Sequence, residues 1–200
     1  MLTLDALLAI ALFSFVSSIT PGPNNLMLLA SGVNHGIRAS MPHLMGVNLG
    51  FLVLLLAVGF GLGAVFAVYP VVYTLMKWLG IAYLLYLVYA IAGSSAPSGA
   101  QVGSKPIGFW AAAAFQWVNP KAWIMAVSVF SSYLPPDHSL LAALWVAVLF
   151  AFINAPCIAA WAVFGATLRD RLRSPRVLRI FNCGMAALLF VSLIPLLRTA

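Results

Sequence analysis

The stretch Thr20-Pro21-Gly22-Pro23-Asn24-Asn25 interrupts an apolar run at a place where a membrane helix would be continuous. Proline has no amide hydrogen and cannot bond the carbonyl four residues back, so Pro21 and Pro23 strand the carbonyls of Ser17 and Ile19. Membrane hydrocarbon tolerates such a break only where protein or a water-filled cavity covers it. The stretch therefore predicts an interrupted first span.

The composition is that of an integral membrane protein. The chain has 200 residues, of which 64% are hydrophobic and 6% are charged, and its mean hydropathy is +1.08. The net charge of +7 would suit a nucleic-acid partner, but the basic residues are concentrated in one short segment, which membrane topology explains more simply. We therefore predict that the chain lies in a lipid bilayer and binds no nucleic acid.

The two cysteines, Cys157 and Cys183, lie in apolar runs with no CxxC pattern and no His or acidic residue nearby. This pattern indicates neither a disulfide framework nor a metal site, and it is typical of cysteine acting as a small apolar residue. We predict no cofactor, no metal and no catalytic residue.

The length of the apolar runs predicts six membrane spans, because one span needs about 20 mostly apolar residues. The spans cover residues 4–30, 42–66, 70–92, 107–133, 140–167 and 177–197. The first does not resemble a signal peptide, since Asp5 stands where basic residues are expected and the apolar run resumes after Asn25. We predict an uncleaved first span in a single transmembrane domain, residues 1–200.

A linker at 93–106 divides the chain into two halves, about 1–92 and 107–200, which look related. The segment Gly80 to Tyr86 matches Gly184 to Phe190 at the glycine, one alanine and two leucines. Pro21 and Pro120 fall at equivalent depth, each after a polar residue. Chance similarity between leucine-rich helices is the alternative explanation.

Loop charges test this repeat, because a unit of three spans that is repeated must be inserted upside down. The loop between spans two and three has no Lys or Arg, whereas the equivalent loop contains Arg169, Arg171, Arg173, Arg176 and Arg179. The positive-inside rule then places the basic loops in the cytoplasm and both termini outside. If span one were a re-entrant hairpin, the N-terminus would lie inside.

An inverted repeat with one broken helix in each half is the design of secondary transporters, which bind substrate between the halves. The N-terminus of a broken helix suits an anion and its freed carbonyls suit a cation, and an amino acid carries both charges. A proline kink in a packed helix is the alternative. The predicted translocation site comprises Thr20, Pro21, Gly22, Pro23, Asn24, Asn25, Gln116, Asn119, Pro120 and Lys121.

Lys121 lies about as deep in span four as the bilayer centre, where an ammonium group costs about 2.5 kcal/mol or more. From that depth its side chain would hardly reach an interface by snorkelling. We therefore predict that Lys121 binds the substrate carboxylate, with Asn119 and Gln116 on the same wall.

Two polar segments occupy comparable places in spans two and five. Gly46 and Gly50 are small residues four apart, which predicts close helix packing. Asn48 and Asn154 are candidates for the site, where they either line the cavity or bond across helices, and the sequence leaves both possibilities open.

The remaining ionisable residues offer no evident proton relay. His35 and His43 lie in or near a loop, which predicts interfacial positions rather than proton carriers. Asp5, Asp137 and Asp170 lie at the ends of spans, so no buried carboxylate is expected. Proton relays in membranes ordinarily use intramembrane Asp, Glu or His.

At these residues the sequence resembles the LysE/RhtB family of bacterial amino-acid exporters. That family has six spans, a Pro-Gly-Pro-Asn/Asp segment in span one and an Asn-Pro-Lys-type segment in span four. The matching stretches here are Thr20 to Asn25 and Phe115 to Ala122, and the resemblance covers essentially the whole chain. Together with Lys105 to Trp110, the first stretch is most similar to the cysteine and O-acetylserine exporter branch.

The resemblance implies efflux of small neutral amino acids or close derivatives, of the threonine, homoserine or cysteine type, across the bacterial inner membrane. It also implies proton antiport by alternating access, and a homodimer is compatible with so small a carrier. Asn24 stands where the family often has Asp, which removes a possible partner for a proton or an ammonium group. This difference disfavours a cationic substrate such as lysine.

Two other classes are alternatives. Membrane thiol-electron carriers of the same wider superfamily resemble this design but place a cysteine at each broken helix, where this chain has Pro, Asn and Lys. A non-transporting assembly subunit would not explain Lys121 at mid-membrane. We therefore predict a transporter and not an enzyme, while the identity of the amino acid and the residue that carries the coupling ion stay open.

Overall fold

The computed structural model describes residues 3–62, 70–93, 106–135, 138–172 and 174–194, and this part of the chain contains eight helices and no strand. The predicted all-helical class is confirmed. The helices are α1 (Leu4–Ile19), α2 (Pro23–His35), α3 (Ile37–Ala57), α4 (Pro70–Ala92), α5 (Phe109–Val118), α6 (Pro120–Tyr133), α7 (Leu140–Leu168) and α8 (Pro175–Val191).

Within those ranges, two helices are long and apolar enough to cross a membrane by length and composition. They are α7, with 29 residues, and α3 with the π-helical segment Val58–Leu62 that continues it, with 26 residues. At 1.5 Å per residue they reach about 44 and 39 Å, respectively, more than the hydrocarbon thickness of about 30 Å. Helices α1 and α2, which meet at a bend of 54°, pass the same test together and make a third candidate.

Helix α1 begins where the Thr3 side chain accepts a hydrogen bond from the Ala6 N–H, and it ends at the predicted interruption. Thr20 and Gly22 have extended backbone conformations, and α2 then begins with Pro23 as its first residue. Proline suits that position, because the first amide of a helix has no partner within the helix. The predicted break of span one therefore lies at residues 20–22.

The predicted beginning of span two at Pro42 is wrong, because α3 begins at Ile37 and contains Pro42. Pro42 deprives the carbonyl of Arg38 of its bond within the helix. Arg38 is an exposed residue in the first turn, where water can replace that bond. The predicted ends of spans two and six, at residues 66 and 197, lie outside the described residues.

Glycines set the closest contacts between helices. The most extensive packing is between α2 and α7, where a β-carbon at Gly32 would meet the backbone of Ala162. Helix α3 lies against α5 in the same manner, since β-carbons at Gly46 and Gly50 would meet the backbones of Phe109 and Ala113. These contacts hold α2 and α3 closely against the second half of the chain.

Candidate functional site

The C-terminal end of α1 exposes four carbonyls, and all four accept side-chain hydrogen bonds. Thr20 Oγ1 donates to the Ser17 carbonyl at 2.9 Å. Asn25 Nδ2 lies 2.8 Å from the carbonyl oxygens of both Ser18 and Thr20. Trp161 Nε1, on α7, donates to the Ile19 carbonyl at 3.2 Å. The carbonyls that the two prolines free are therefore covered by protein, as a break within a membrane requires.

Lys121 connects the second break to the first. Its Nζ donates to the Thr20 carbonyl at 2.7 Å, to Thr20 Oγ1 at 3.1 Å and to the Pro21 carbonyl at 3.4 Å. The side chain passes over Gly22, where a β-carbon would lie 2.6 Å from Lys121 Cδ and 3.0 Å from Nζ. Gly22 thus leaves the space through which the lysine reaches the end of α1.

The second break consists of Asn119 alone. Its backbone is extended, with φ −86° and ψ 109°, and its side-chain oxygen accepts the Lys121 N–H at 3.1 Å. Helix α6 begins with Pro120, and Trp123 Nε1 donates to the Trp117 carbonyl at 2.7 Å. The hydrogen-bond partners of the second break therefore come from its own segment. Trp161 and Lys121, by contrast, reach the first break from the second half of the chain.

Two pairs of amide side chains join the halves of the chain beside the breaks. Asn24 and Gln116 bond reciprocally, at 2.8 and 3.2 Å, and Gln116 also donates to the Ala112 carbonyl. Asn154 donates to Asn48 at 2.9 Å. The sequence left open whether Asn48 and Asn154 bond across helices or line a cavity, and Asn154 does both.

A small cavity lies between the two breaks, with a volume of about 30 Å³. A cavity of this size holds about one water molecule and is too small for an amino acid. It brings together seven of the predicted site residues: Gly22, Asn24, Asn25, Gln116, Asn119, Lys121 and Asn154. Thr20 and Pro21 accept hydrogen bonds from Lys121, which lines the cavity, but do not line it themselves. Pro23, Asn48 and Pro120 do not line it either.

Seven further lining residues were not predicted, and they form a short polar edge and an apolar wall. They are Ser17, Ser18, Val47, Phe51, Ala122, Met125 and Ile158. Ser18 Oγ is buried and has no hydrogen-bond partner among the described residues. The signal in the sequence was helical spacing, because Val47 and Phe51, like Asn154 and Ile158, are four residues apart and share one helix face.

His43 is fully buried, with 0% of its surface exposed. Neither ring nitrogen has a hydrogen-bond partner in the described part of the chain. The sequence placed His43 in or near a loop, whereas it lies in the second turn of α3 and inside the bundle, because α3 begins at Ile37. His35, at the end of α2, is half-buried.

The cysteines lie away from the cavity. Cys157 is buried in α7 and Cys183 is exposed on α8, and neither lines the cavity. Among the described residues, no group of three or more His, Cys, Asp or Glu side chains is placed to hold a metal ion. The polar chemistry of the cavity therefore consists of amides, hydroxyls, helix ends and one ammonium group.

The chain belongs to the family described as LysE type translocator, whose model matches residues 15–198. It is 34% identical over 165 residues to a cysteine/O-acetylserine efflux protein of Salmonella paratyphi A, covering 80% of this chain and 83% of the relative. It is 36% identical over 158 residues to the cysteine/O-acetylserine efflux protein of Escherichia coli K12, covering 76% and 78%. No solved structure matches the chain. The family and these relatives identify an amino-acid transporter and not an enzyme.

Proposed function

We propose that this member of the LysE family exports small neutral amino acids or close derivatives across the bacterial inner membrane, by proton antiport with alternating access. The observation that carries the proposal is the meeting of the two breaks at one cavity, where Lys121 Nζ lies 2.7 Å from the Thr20 carbonyl. One side of this contact is a cation and the other is a group of carbonyl acceptors. An amino acid supplies the complement of each.

The substrate carboxylate binds between Lys121 and the beginning of α2. That helix end has Gly22 as its N-cap and no side-chain cap, so its partial positive charge is directed at the cavity that Gly22 lines. Lys121 adds a full positive charge within reach of the same space. Opposite charges attract each other more strongly near a protein surface than in bulk water.

The substrate ammonium takes the acceptors that Lys121 occupies in the empty site. These acceptors are the carbonyls of Thr20 and Pro21 and the Thr20 hydroxyl. When a carboxylate draws Lys121 away, the acceptors lose their partner and receive the amino group instead. The acceptors thus remain paired with an ammonium group in both states, so the substrate replaces a hydrogen bond of the empty site with one of the same kind.

The lining favours a small, uncharged side chain. Val47, Phe51, Met125 and Ile158 form its apolar wall, and none of the described lining residues is acidic. A second ammonium on the substrate would have no carboxylate partner there. Since the relatives are named as efflux proteins for cysteine and O-acetylserine, we propose these two compounds as the first substrates to test.

The helix contacts support an inverted repeat of six spans. In an inverted repeat, α1 would correspond to α5, α3 to α7 and α4 to α8. The packing of α1 on α7 then has its equivalent in the packing of α5 on α3, and both are present. The pairs α3 with α7 and α4 with α8 each join two equivalent helices, and both of these pairs are in contact. The halves are not identical, because the packing of α2 on α7 is much more extensive than that of α6 on α3.

The small size of the cavity supports alternating access. With a volume of about 30 Å³ it does not hold an amino acid, so we propose that helices separate to admit the substrate. We place the end that carries Arg38, Arg169 and Arg171 in the cytoplasm, following the positive-inside rule. The homodimer expected of so small a carrier stays a prediction.

The proposal is tested by efflux from cells that overproduce the protein and by exchange in proteoliposomes that contain the purified protein alone. Radiolabelled O-acetylserine and cysteine are the probes, and vesicles without protein are the control. We expect exchange in the protein-containing vesicles, and its absence for both probes and for other neutral amino acids would contradict the proposal. An assembly subunit would not transport alone, and a thiol-electron carrier would lose activity when Cys157 and Cys183 are both changed to serine.

A further inference from the structure

We propose that His43 binds the proton that is exchanged for the amino acid. This inference rests on the proposed function, because proton antiport is part of it. The cavity itself offers no carboxylate among its described lining residues, so the coupling proton needs another site. His43 is a fully buried ionisable side chain without a hydrogen bond to any of the described residues.

The hydrogen-bonding capacity of the ring distinguishes His43 from a structural core residue. A neutral imidazole has one N–H donor and one acceptor nitrogen, and an imidazolium has two donors. Neither nitrogen has a partner in the described part of the chain, and His43 is 0% exposed. Buried polar groups are nearly always bonded, so an unbonded one is expected to have a role in another state of the protein.

The position of His43 links the cavity to one end of the bundle. Val47 and Phe51 follow it at four-residue spacing on one face of α3, and both line the cavity. One helical turn, about 6 Å at 1.5 Å per residue, therefore separates His43 from the level of Val47. Ser40 lies three residues before His43, so its Cβ is on the same side of the helix.

Buried hydroxyl groups continue this line toward the loop between α2 and α3. The hydroxyls of Ser31 and Ser40 are 2.7 Å apart, and Ser40 Oγ lies 2.9 Å from the Gly36 carbonyl. Both serines are buried. Hydroxyl groups therefore lie on the loop side of His43, while Val47 and Phe51 lead from it to the cavity.

The electrostatic surroundings of His43 are simple. His35 interacts electrostatically with it from the end of α2. Helix α5, which packs closely on α3, has no charged or titratable side chain. Charged or titratable side chains also occur on α3 itself and on two other helices that pack on it. They are Arg38 on α3, Lys121 and Tyr133 on α6, and Cys157 on α7, with Arg169 directly after α7.

A change of hydration would link the proton to the conformational cycle. In the conformation described here a charged ring would have two unpaired N–H donors. When the bundle opens to the outside, water reaches the ring and its free nitrogen lone pair binds a proton. The charged ring then crosses in a different conformation that gives both N–H groups acceptors. When the bundle opens to the cytoplasm, the N–H bond breaks and the proton leaves, so one proton moves inward for each amino acid exported.

The test compares pH-driven accumulation with simple exchange in the same proteoliposomes. Vesicles with an acidic lumen receive external radiolabelled O-acetylserine, with cysteine as the second probe, and the membrane potential is clamped. A one-for-one antiporter accumulates substrate by up to about tenfold for each unit of pH difference. Exchange of labelled for unlabelled substrate at equal pH needs no proton movement.

The variants are His43→Gln, which keeps hydrogen-bonding atoms but cannot take up a proton, and His43→Asn as a smaller second amide. His138→Gln is the control, because His138 lies at the other end of the bundle with both ring nitrogens close to the carbonyls of Pro135 and Gly59. We expect both His43 variants to exchange within about twofold of wild type but to lose accumulation and its pH dependence. His138→Gln should retain both.

Each other outcome overturns a defined part of the account. If His43→Gln accumulates substrate as wild type does, His43 does not carry the proton. If both His43 variants lose exchange as well, His43 is structural and the inference is wrong. If wild type exchanges substrate but does not respond to the pH gradient, the proposed proton site is wrong and the proposal of an amino-acid exporter is retained. If wild type does not exchange either probe or any other neutral amino acid, the proposed function fails as well.

Discussion

The break between α1 and α2 leaves Thr20, Pro21 and Gly22 outside the helices, whereas the break between α5 and α6 leaves only Asn119. The first is stabilised both by its own side chains and from across the molecule, since Trp161 and Lys121 of the second half also donate to its carbonyls. The second is capped by its own side chains. Their local sequences both contain proline, but their partners have different origins.

This difference assigns different tasks to the two breaks. The first presents carbonyl acceptors and an uncapped helix N-terminus, so it can respond to both charges of an amino acid. The second holds Lys121 in a fixed first turn through the Asn119 cap, so it supplies a positioned cation. In the empty site, the cation of the second break occupies the acceptors of the first. Changes at the second break should therefore alter the charge that binds substrate, and changes at the first should alter its acceptors and the space beside them.

The largest effect is expected from Lys121→Gln, which removes the cation and keeps a hydrogen-bond donor. Hydrogen bonds to charged groups contribute about 1.5–3 kcal/mol, so exchange should fall about 100-fold. Initial rates of O-acetylserine exchange in proteoliposomes measure this. The matched control is Arg38→Gln, which removes an exposed charge and should change exchange less than about twofold. Unchanged exchange in Lys121→Gln would refute its role with the substrate.

Trp161→Phe should cost stability at the first break. It removes the donor to the partly buried Ile19 carbonyl, and loss of such a hydrogen bond costs about 0.5–1.5 kcal/mol. Thermal unfolding of the purified protein in detergent measures the loss. Trp145→Phe is the control for the change of ring size, because Trp145 is 63% exposed. Equal melting temperatures for the two variants would mean that the Trp161 hydrogen bond does not stabilise the first break.

Gly22→Ala should weaken transport by crowding Lys121. The new β-carbon would lie 2.6 Å from Lys121 Cδ, so the side chain must shift away from the Thr20 carbonyl. A loss of about 1.4 kcal/mol corresponds to about a tenfold slower exchange. Gly184→Ala is the matched control, since a β-carbon there meets open space and alanine favours a helix. If Gly22→Ala exchanges as fast as Gly184→Ala, the lysine does not need that path.

The smallest effect is expected at the second break from Asn119→Ala, which removes the side-chain cap of α6. Loss of such a cap costs about 1 kcal/mol of stability. Asn119→Ser should restore most of it, because serine is also a good N-cap. Thermal unfolding of both variants tests this, and an alanine variant as stable as the serine variant would show that the cap does not hold the break.

Local sequence was sufficient to predict both breaks, because proline acts on the carbonyl four residues before it wherever it stands. It also singled out Lys121, since an ammonium group deep in an apolar run needs partners. The partners themselves were not predictable. Trp161 and Ile19 are 142 residues apart, and only the packing of α7 beside α1 brings them together.

The beginning of α3 was mispredicted for a related reason. A proline is tolerated within a helix when water can serve the carbonyl that it frees, and the exposure of Arg38 is a property of the fold. The same shift placed His43 inside the bundle rather than in or near a loop. Residues of the apolar wall, such as Met125 and Ile158, carry no chemical signal and become recognisable only when the helices are assembled.

The most direct test of the central claim is whether Lys121 recognises the substrate carboxylate. Purified wild type and Lys121→Gln are titrated with O-acetylserine and with its methyl ester, and binding is measured as stabilisation against thermal unfolding. We predict that wild type binds the free acid about 100-fold more tightly than the ester, and that Lys121→Gln binds the two about equally. A Lys121→Gln variant that still prefers the free acid as strongly as wild type would contradict the account.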